Sequence, residues 1–309
     1  MTRLALVVNP SSRAAHHAVG AVSAAVQEAG LGEPLVLSTT PHEPGGPQTR
    51  YAVARGVERV VVAGGDGTVR EVAGALSLAI LQSSPSHRVP LGVVPVGTAN
   101  LFARSALLPV GDVREAARRA VTGGARPTDL GRARLTSATG GVSEHAFLVV
   151  AGVGHDAATL AAVRPAHKAN VRWLAYFLPG VLRLGRPGHA LRLVVDGERV
   201  HAGPLWTVLA VNAARLPGGI RVVPGAHLDD GLLHTVLVSP RTLLDWGRIA
   251  VTGMGRVTPG DHPALRYRTG RELVVDAPEP VLAQVDGDVV PDIVGARVTV
   301  LPGALDVAR

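Results

Sequence analysis

Arg59-Val60-Val61-Val62-Ala63-Gly64-Gly65-Asp66-Gly67-Thr68-Val69-Arg70-Glu71-Val72-Ala73 reads as a strand, a glycine turn and the start of a helix, in that order. Residues 59–63 form a short apolar run without polar alternation, the pattern of a parallel strand buried on both faces. From Thr68 a helical pattern begins. Glycines let a backbone approach a polyphosphate, and the unpaired N–H groups and dipole of a helix N-terminus favour its negative charge. Asp66 is the discordant residue. A carboxylate beside phosphates is repelled unless it handles a cation or a proton, so it points to Mg²⁺ or to activation of a hydroxyl nucleophile.

The same arrangement recurs downstream. An apolar run at 91–94 leads into Pro95-Val96-Gly97-Thr98-Ala99-Asn100. Working outward, strands are expected at 4–8, 35–37, 59–63 and 91–94, with helices at 14–29 (stopped by Gly30), 46–56, 68–82 and one or two over 99–121. This βαβα alternation predicts a doubly wound, mostly parallel nucleotide-binding domain, whose ligands bind outside the carboxyl ends of strands. After Asp129-Leu130-Gly131 the pattern changes to β-like runs at 145–151, 191–195, 205–211, 232–238, 272–275, 281–285 and 297–301. The fold class expected is therefore α/β, with residues 1–128 as the first domain and a β-rich second domain at 129–291. Helical insertions are expected at 158–184 and 240–251.

Composition narrows the function classes. With 309 residues, 47% hydrophobic and 18% charged, the chain can bury two cores. Gly 37 and Pro 23 punctuate elements rather than form low-complexity tracts. The absence of cysteine excludes disulfides and thiolate metal sites. No apolar run approaches a membrane span, and residues 1–12 lack a signal-peptide pattern, so a cytoplasmic location is expected. The formal charge of +7 would draw the protein toward anionic headgroups or nucleotides, unless arginine-rich usage only reflects base composition. Nucleic acid is not an expected partner, because nine aromatic residues do not interleave with the basic ones. Twelve histidines show no metal-ligand spacing.

Taken together, Gly64-Gly65-Asp66-Gly67-Thr68 with Glu71, Pro95 to Asn100, the early Asn9-Pro10-Ser11-Ser12 and the late Val285-Asp286-Gly287-Asp288 resemble the diacylglycerol kinase catalytic family, which includes bacterial lipid kinases and sphingosine kinases. The order and spacing match along nearly the whole chain. The resemblance implies an ATP- and Mg²⁺-dependent kinase that phosphorylates a lipid hydroxyl, diacylglycerol by default, with a C-terminal tail at 292–309 returning to the first domain. It implies nucleotide contacts from Asn9, Pro10, Ser11, Gly64, Gly65, Gly67, Thr68, Glu71, Gly97, Thr98 and Asn100. Asp66, Asp129 and Asp230 would belong to the metal network, and Asp288 or Asp66 would accept the hydroxyl proton. The expected partner is a lipid at an anionic membrane surface, reached by peripheral association, with a homodimer left open.

Each residue also has a plainer reading. Glu71 stabilises the helix dipole as readily as it orients a site. Asn100 and Thr98 can cap a helix. Asp286-Gly287 is a tight-turn signal in its own right, and Asp229-Asp230-Gly231 reads equally as a solvated turn. Gly152-Val153-Gly154-His155-Asp156-Ala157 imitates a dinucleotide fingerprint, but the position about twenty residues on is Arg172, not an acid. Lys168, Arg172, Arg183 and Arg186 surround Trp173 to Leu178, a stretch suited to a lipid interface or to a helix packed on its own domain. The chain departs from the family pattern at Arg13, Arg70, Leu101 and Asp288, where Gly, Asn, Asp and Glu are usual. Two rivals follow: an NAD kinase-like enzyme, which shares the first glycine turn, and a catalytically silent lipid- or nucleotide-binding regulator.

Overall fold

The computed structural model describes residues 3–82, 88–157, 188–213, 215–216, 220–221, 223, 225–253 and 262–309. The chain divides into two compact units, Met1–Leu130 with Pro302–Arg309, and Gly131–Leu301. These boundaries lie at 130/131 and 301/302, against the expected 128/129 and 291/292.

The first unit runs β1 (Leu4–Val8), α1 (Ala15–Glu28), β2 (Leu35–Ser38), α2 (Gly46–Ala54), β3 (Arg59–Gly64), α3 (Asp66–Gln82), β4 (Leu91–Pro95), α4 (Leu101–Ser105) and α5 (Val113–Thr122). Its strands are all parallel, in the order β2-β1-β3-β4. Every residue of β1 and β4 is buried, which explains their unbroken apolar sequences, whereas edge strand β2 is mostly exposed. On one face, Leu4, Leu6, Val8, Val61, Ala63 and Val94 share a core with α1 and α5. The alternate residues Ala5, Val7, Val60 and Val62 are buried on the other face, where α2 and α3 pack. Gly92 permits the tight approach of α5: a Cβ there would lie 2.4 Å from the Ala120 carbonyl oxygen.

In this strand order the chain turns back across β1, so the β1 and β3 carboxyl ends flank the topological switch point, where open α/β sheets bind ligands. The last residues close the unit. Val307 pairs in parallel with Leu91, Gly303 N–H donates to Asp129 at 2.7 Å, Arg309 donates to Thr128 Oγ1 at 2.9 Å, and Arg88 pairs with Asp306 at 3.0 Å.

The second unit is antiparallel. It takes the distal part of β5 (Ala125–Ser137), then β6 (Val142–Phe147), β7 (Val150–Gly154), β8 (His189–Val195), β9 (Glu198–Leu205), β10 (Thr207–Val211), the short β11 (Arg215–Leu216) and β12 (Ile220–Arg221), β13 (Leu233–Val238), α6 (Leu243–Gly253), β14 (Leu265–Gly270), β15 (Glu272–Val285) and the proximal part of β16 (Asp288–Ala308). Neighbours run β14-β13-β10-β7-β15-β16. Phe147, Leu191, Leu193, Leu205, Leu273 and Ile293 fill its core. The α/β fold class with a β-rich second part is as expected, but β5, β9, β14 and the short β11 and β12 were not. The runs 272–275 and 281–285 are one strand, with register shifts between Asp276 and Ala283. The expected helix at 158–184 and the aromatic-cationic stretch within it lie outside the described residues.

Candidate active site

In the first unit two glycine turns meet. The first follows β3 and the second follows β4, adjacent parallel strands whose ends lie side by side. Val96 N–H donates to the Gly64 carbonyl at 3.1 Å. Gly97 then passes so close to Gly65 that a Cβ on Gly97 would stand 2.5 Å from the Gly65 Cα. A Cβ on Gly64 would lie 2.7 Å from the Thr68 Cβ. These glycines are therefore required by packing, in addition to any approach of phosphate.

Asn100 holds the second turn. Its Oδ1 accepts from Gly97 N–H at 3.0 Å, and its Nδ2 donates to the Gly97 carbonyl at 2.8 Å. The residue occupies the left-handed region at φ 49° and does not cap α4 with its side chain. Its amide is thus engaged inside its own loop, while Thr98 is exposed. From β1, Asn9 reaches the same place: Nδ2 lies 3.4 Å from Thr68 Oγ1, and Oδ1 accepts from Ser11 N–H at 3.0 Å. Ser12 donates its hydroxyl to the Val96 carbonyl at 2.7 Å. Pro10, Ser11 and Gly67 are exposed around this cluster.

Asp66 sits in the first turn of α3, two residues before the helix expected from the apolar pattern. Its Oδ1 accepts from Phe102 N–H at 3.3 Å, at the head of α4. Burial pushes its carboxyl above the ordinary value, and the backbone N–H groups of Phe102, Leu101 and Asn100 pull the other way. Leu101, at the position where the family carries an acid, thus contributes its backbone to Asp66. Arg70, which stands where the family usually has Asn, is buried and lies 3.2 Å from Glu71 Oε1. Asp129 is 2% exposed, with Oδ1 accepting from Gly303 N–H.

The second unit has its own acidic turn. Asp286 and Gly287 join β15 to β16 with φ of 48° and 95°, the positive pair that a two-residue hairpin of the I′ type demands. The Asp286 carboxylate accepts three backbone N–H groups: Leu148 at 2.7 Å, and Val149 and Val150 at 2.9 Å each. The first acid of the turn is thereby an anchor to the segment leading into β7. Asp288, the second, is exposed. Asp230 is committed in a similar way, accepting from His227 N–H at 3.0 Å and Leu232 N–H at 2.9 Å, with His234 Nε2 at 2.9 Å. Among the described residues no three of His, Cys, Asp and Glu converge on a point that could hold a metal ion.

Sequence reasoning set aside residues 152–157, which the structure makes a buried polar contact. Asp156 bonds to Thr207 Oγ1 and lies 3.2 Å from Gln284 Nε2. Burial pushes the Asp156 carboxyl up to about 6, against the lowering effect of those hydrogen bonds. Two glycines preceding an acid were the available signal. A Cβ on Gly152 would fall 2.1 Å from Asp156 Oδ2, and Gly154 has φ 125° with its Cβ position 2.7 Å from the Trp206 carbonyl oxygen.

Comparison with known proteins also divides the chain in two, with the second match running on through residues 302–309 of the first unit. Residues 3–133 match the diacylglycerol kinase catalytic domain, and residues 148–309 match the YegS C-terminal NAD kinase beta sandwich-like domain. A probable lipid kinase YegS-like protein of Xanthomonas axonopodis pv. citri is 34% identical over 77% of this chain and 74% of its own length. The diacylglycerol kinase of Bacillus subtilis is 28% identical over the same shares of the two chains. The crystal structure of a putative diacylglycerol kinase from Bacillus anthracis has the same fold, with a TM-score of 0.73 at 21% identity over 99% of this chain and 97% of that one.

Proposed function

The chain belongs to the diacylglycerol kinase catalytic family, as a YegS-like lipid kinase, and from that premise we propose that it transfers the γ-phosphoryl group of ATP to a lipid hydroxyl with Mg²⁺. Diacylglycerol or a related lipid is the substrate class proposed. The supporting observation is the meeting of the Gly64–Gly65 and Gly97 turns beside the β1/β3 switch point, with Asp66 in the first turn of α3. Backbone N–H groups at the head of a helix and a surface without side chains suit polyphosphate. Asn9, Ser11, Gly67, Thr68 and Thr98 border that surface.

The donor set fits Mg²⁺ in a restricted sense. With no three-residue acidic cluster among the described residues, the protein would supply Asp66, and phosphate oxygens and water would complete the shell, as Mg²⁺ commonly requires. When bound, the ion neutralises negative charge on the β- and γ-phosphates. Asp129 and Asp230 already accept backbone N–H groups, which gives both a structural task whatever their part near the metal. Asp288 is the proposed proton acceptor. Asp286 anchors the turn and leaves the second acid exposed, although Asp288 is one methylene shorter than the family's usual glutamate.

The chain is proposed to reach its substrate by peripheral attraction to anionic membrane. Among the described residues no helix is long and apolar enough to cross one. Radiolabelled ATP offered with a panel of lipids, and separately with NAD, tests the function. Label in diacylglycerol or a related lipid is the expected result. Label in NAD would support the NAD kinase-like alternative, and label in neither would leave a silent binding protein.

A further inference from the structure

Gln284 lies on β15 opposite Gly152 of β7, and its two amide atoms face different partners. Its Nε2 donates to Asp156 Oδ2 at 3.2 Å, and its Oε1 accepts from Gly287 N–H at 2.9 Å. The side chain is 3% exposed, so water does not compete for either contact. Gly287 is the second of the two turn residues, held at φ 95°, and its successor is Asp288. We propose that Gln284 is a positioning residue for Asp288: with its amide oriented by Asp156, it fixes the turn that presents the acid.

A glutamine amide can flip by a half-turn at little cost unless its neighbours distinguish oxygen from nitrogen. Asp156 makes that distinction. Its Oδ2 accepts a hydrogen bond whether the carboxyl is ionised or carries its proton on the other oxygen, toward Thr207. Thr207 admits both states, because its hydroxyl also lies 2.9 Å from the Val153 carbonyl and can donate there while accepting from a protonated Asp156. Flipped, the Gln284 amide would turn its NH₂ toward Gly287 N–H and lose both bonds. Gly152, lacking a side chain, leaves the space in which acid and amide meet. The turn is thus held at two points, by Asp286 through the N–H groups of residues 148–150 and by Gln284 through Gly287. Its acidic neighbours are Asp156, Asp286 and Asp288.

This proposal rests on Asp288 as the proton acceptor, and the experiment separates the two. Turnover, the KM for ATP and amide exchange at Gly287 are measured for wild type, Gln284→Met, Gln284→Glu, Asp156→Asn and Asp288→Asn. Gln284→Met is expected to lower kcat by 10- to 100-fold with the KM for ATP within twofold, and to accelerate exchange at Gly287. Asp156→Asn, which can still present an oxygen to Gln284, is expected to retain most activity. Gln284→Glu keeps the shape but sets two carboxyls face to face. It should hold the turn only while they share a proton, so its activity relative to wild type falls as pH rises. Gln284→Met turnover within twofold of wild type, or unchanged exchange at Gly287, overturns the positioning role. If Gln284→Met does not fold, a pH-independent Gln284→Glu to wild-type ratio overturns it instead. Normal turnover in Asp288→Asn would remove the base assignment, whereas accelerated Gly287 exchange in Gln284→Met would still report the anchored turn.

Discussion

Gly97 approaches Gly65 so closely that a methyl group on the former would overlap the backbone of the latter, at 2.5 Å from its Cα. Gly97→Ala is expected to separate the two turns, destabilise the fold by about 1–3 kcal/mol as overpacking does, and weaken nucleotide binding. Gly92→Ala, which meets the Ala120 carbonyl at 2.4 Å, serves as the comparison. It should destabilise the same unit with a smaller effect on nucleotide affinity. Melting curves and nucleotide titrations of both variants check the pair, and equal losses of affinity would remove the special role of the crossing.

Asp66 should show opposite effects on activity and stability. Its carboxyl is held above its ordinary value mainly by burial, so the folded state binds a proton more readily than the unfolded one. The stabilisation from that proton is complete below the ordinary carboxylate range and is lost as pH rises through the raised value. Asp66→Asn is expected to melt at or above the wild-type temperature near pH 7 while losing at least 100-fold in turnover. Turnover within a few-fold of wild type would exclude Asp66 from the chemistry.

The two acids of the late turn should separate cleanly. Asp286→Ala leaves three backbone N–H groups without their acceptor and is expected to cost about 3 kcal/mol in stability. Asp288→Asn should leave the melting temperature nearly unchanged and reduce turnover by about 10²- to 10⁴-fold, the order associated with a general base. Asp288→Glu should keep substantial activity. Loss of folding in the Asp288 variants would assign that residue to the turn alone.

For Asp156 the sign of the pH effect follows from a value raised to about 6 from 3.8. Stability attributable to this group is fully present below pH 4 and declines as pH rises through 6, by on the order of 3 kcal/mol. Asp156→Asn removes the ionisation, so its melting temperature should gain on wild type between pH 4 and pH 7 and run parallel above. A constant difference across that range would show that Asp156 does not titrate there.

Membrane attraction, if electrostatic, must respond to salt. Binding to vesicles containing anionic lipid should weaken as ionic strength rises, and binding to neutral vesicles should be poor throughout. Co-sedimentation at two salt concentrations decides it. Equal, salt-insensitive binding to both would reject the attraction proposed from the charge of +7.

The first unit was largely legible because β1, β3 and β4 are buried on both faces and read as plain apolar runs, such as Leu4–Val8 and Leu91–Pro95. In the second unit β5 buries one face only over its distal part, and β9 buries little besides Leu205 at its end. In β5, Ala133 and Leu135 point inward while Arg132 and Arg134 alternate outward, whereas β14 is half-buried at Arg266, Tyr267 and Arg268 alike. Pro278 and Pro280 stand between the expected runs 272–275 and 281–285, and β15 absorbs them in a register shift. The turn glycines were legible by spacing. The capture of Asp286 by residues 148–150, and the burial of Asp156 against Gln284, pair positions more than a hundred residues apart, which no local pattern encodes.

Residues 302–309 also bear on the order of synthesis. They form the parallel partner of Leu91 and the acceptors and donors that engage Arg88, Thr128 and Asp129, yet a ribosome makes them only after the entire intervening unit. An emerging chain can pair β1, β2, β3 and β4 early, while the far side of β4 waits for a strand about two hundred residues away. Until it arrives, Leu91–Pro95 presents an unpaired apolar edge of the kind that recruits chaperones or other chains.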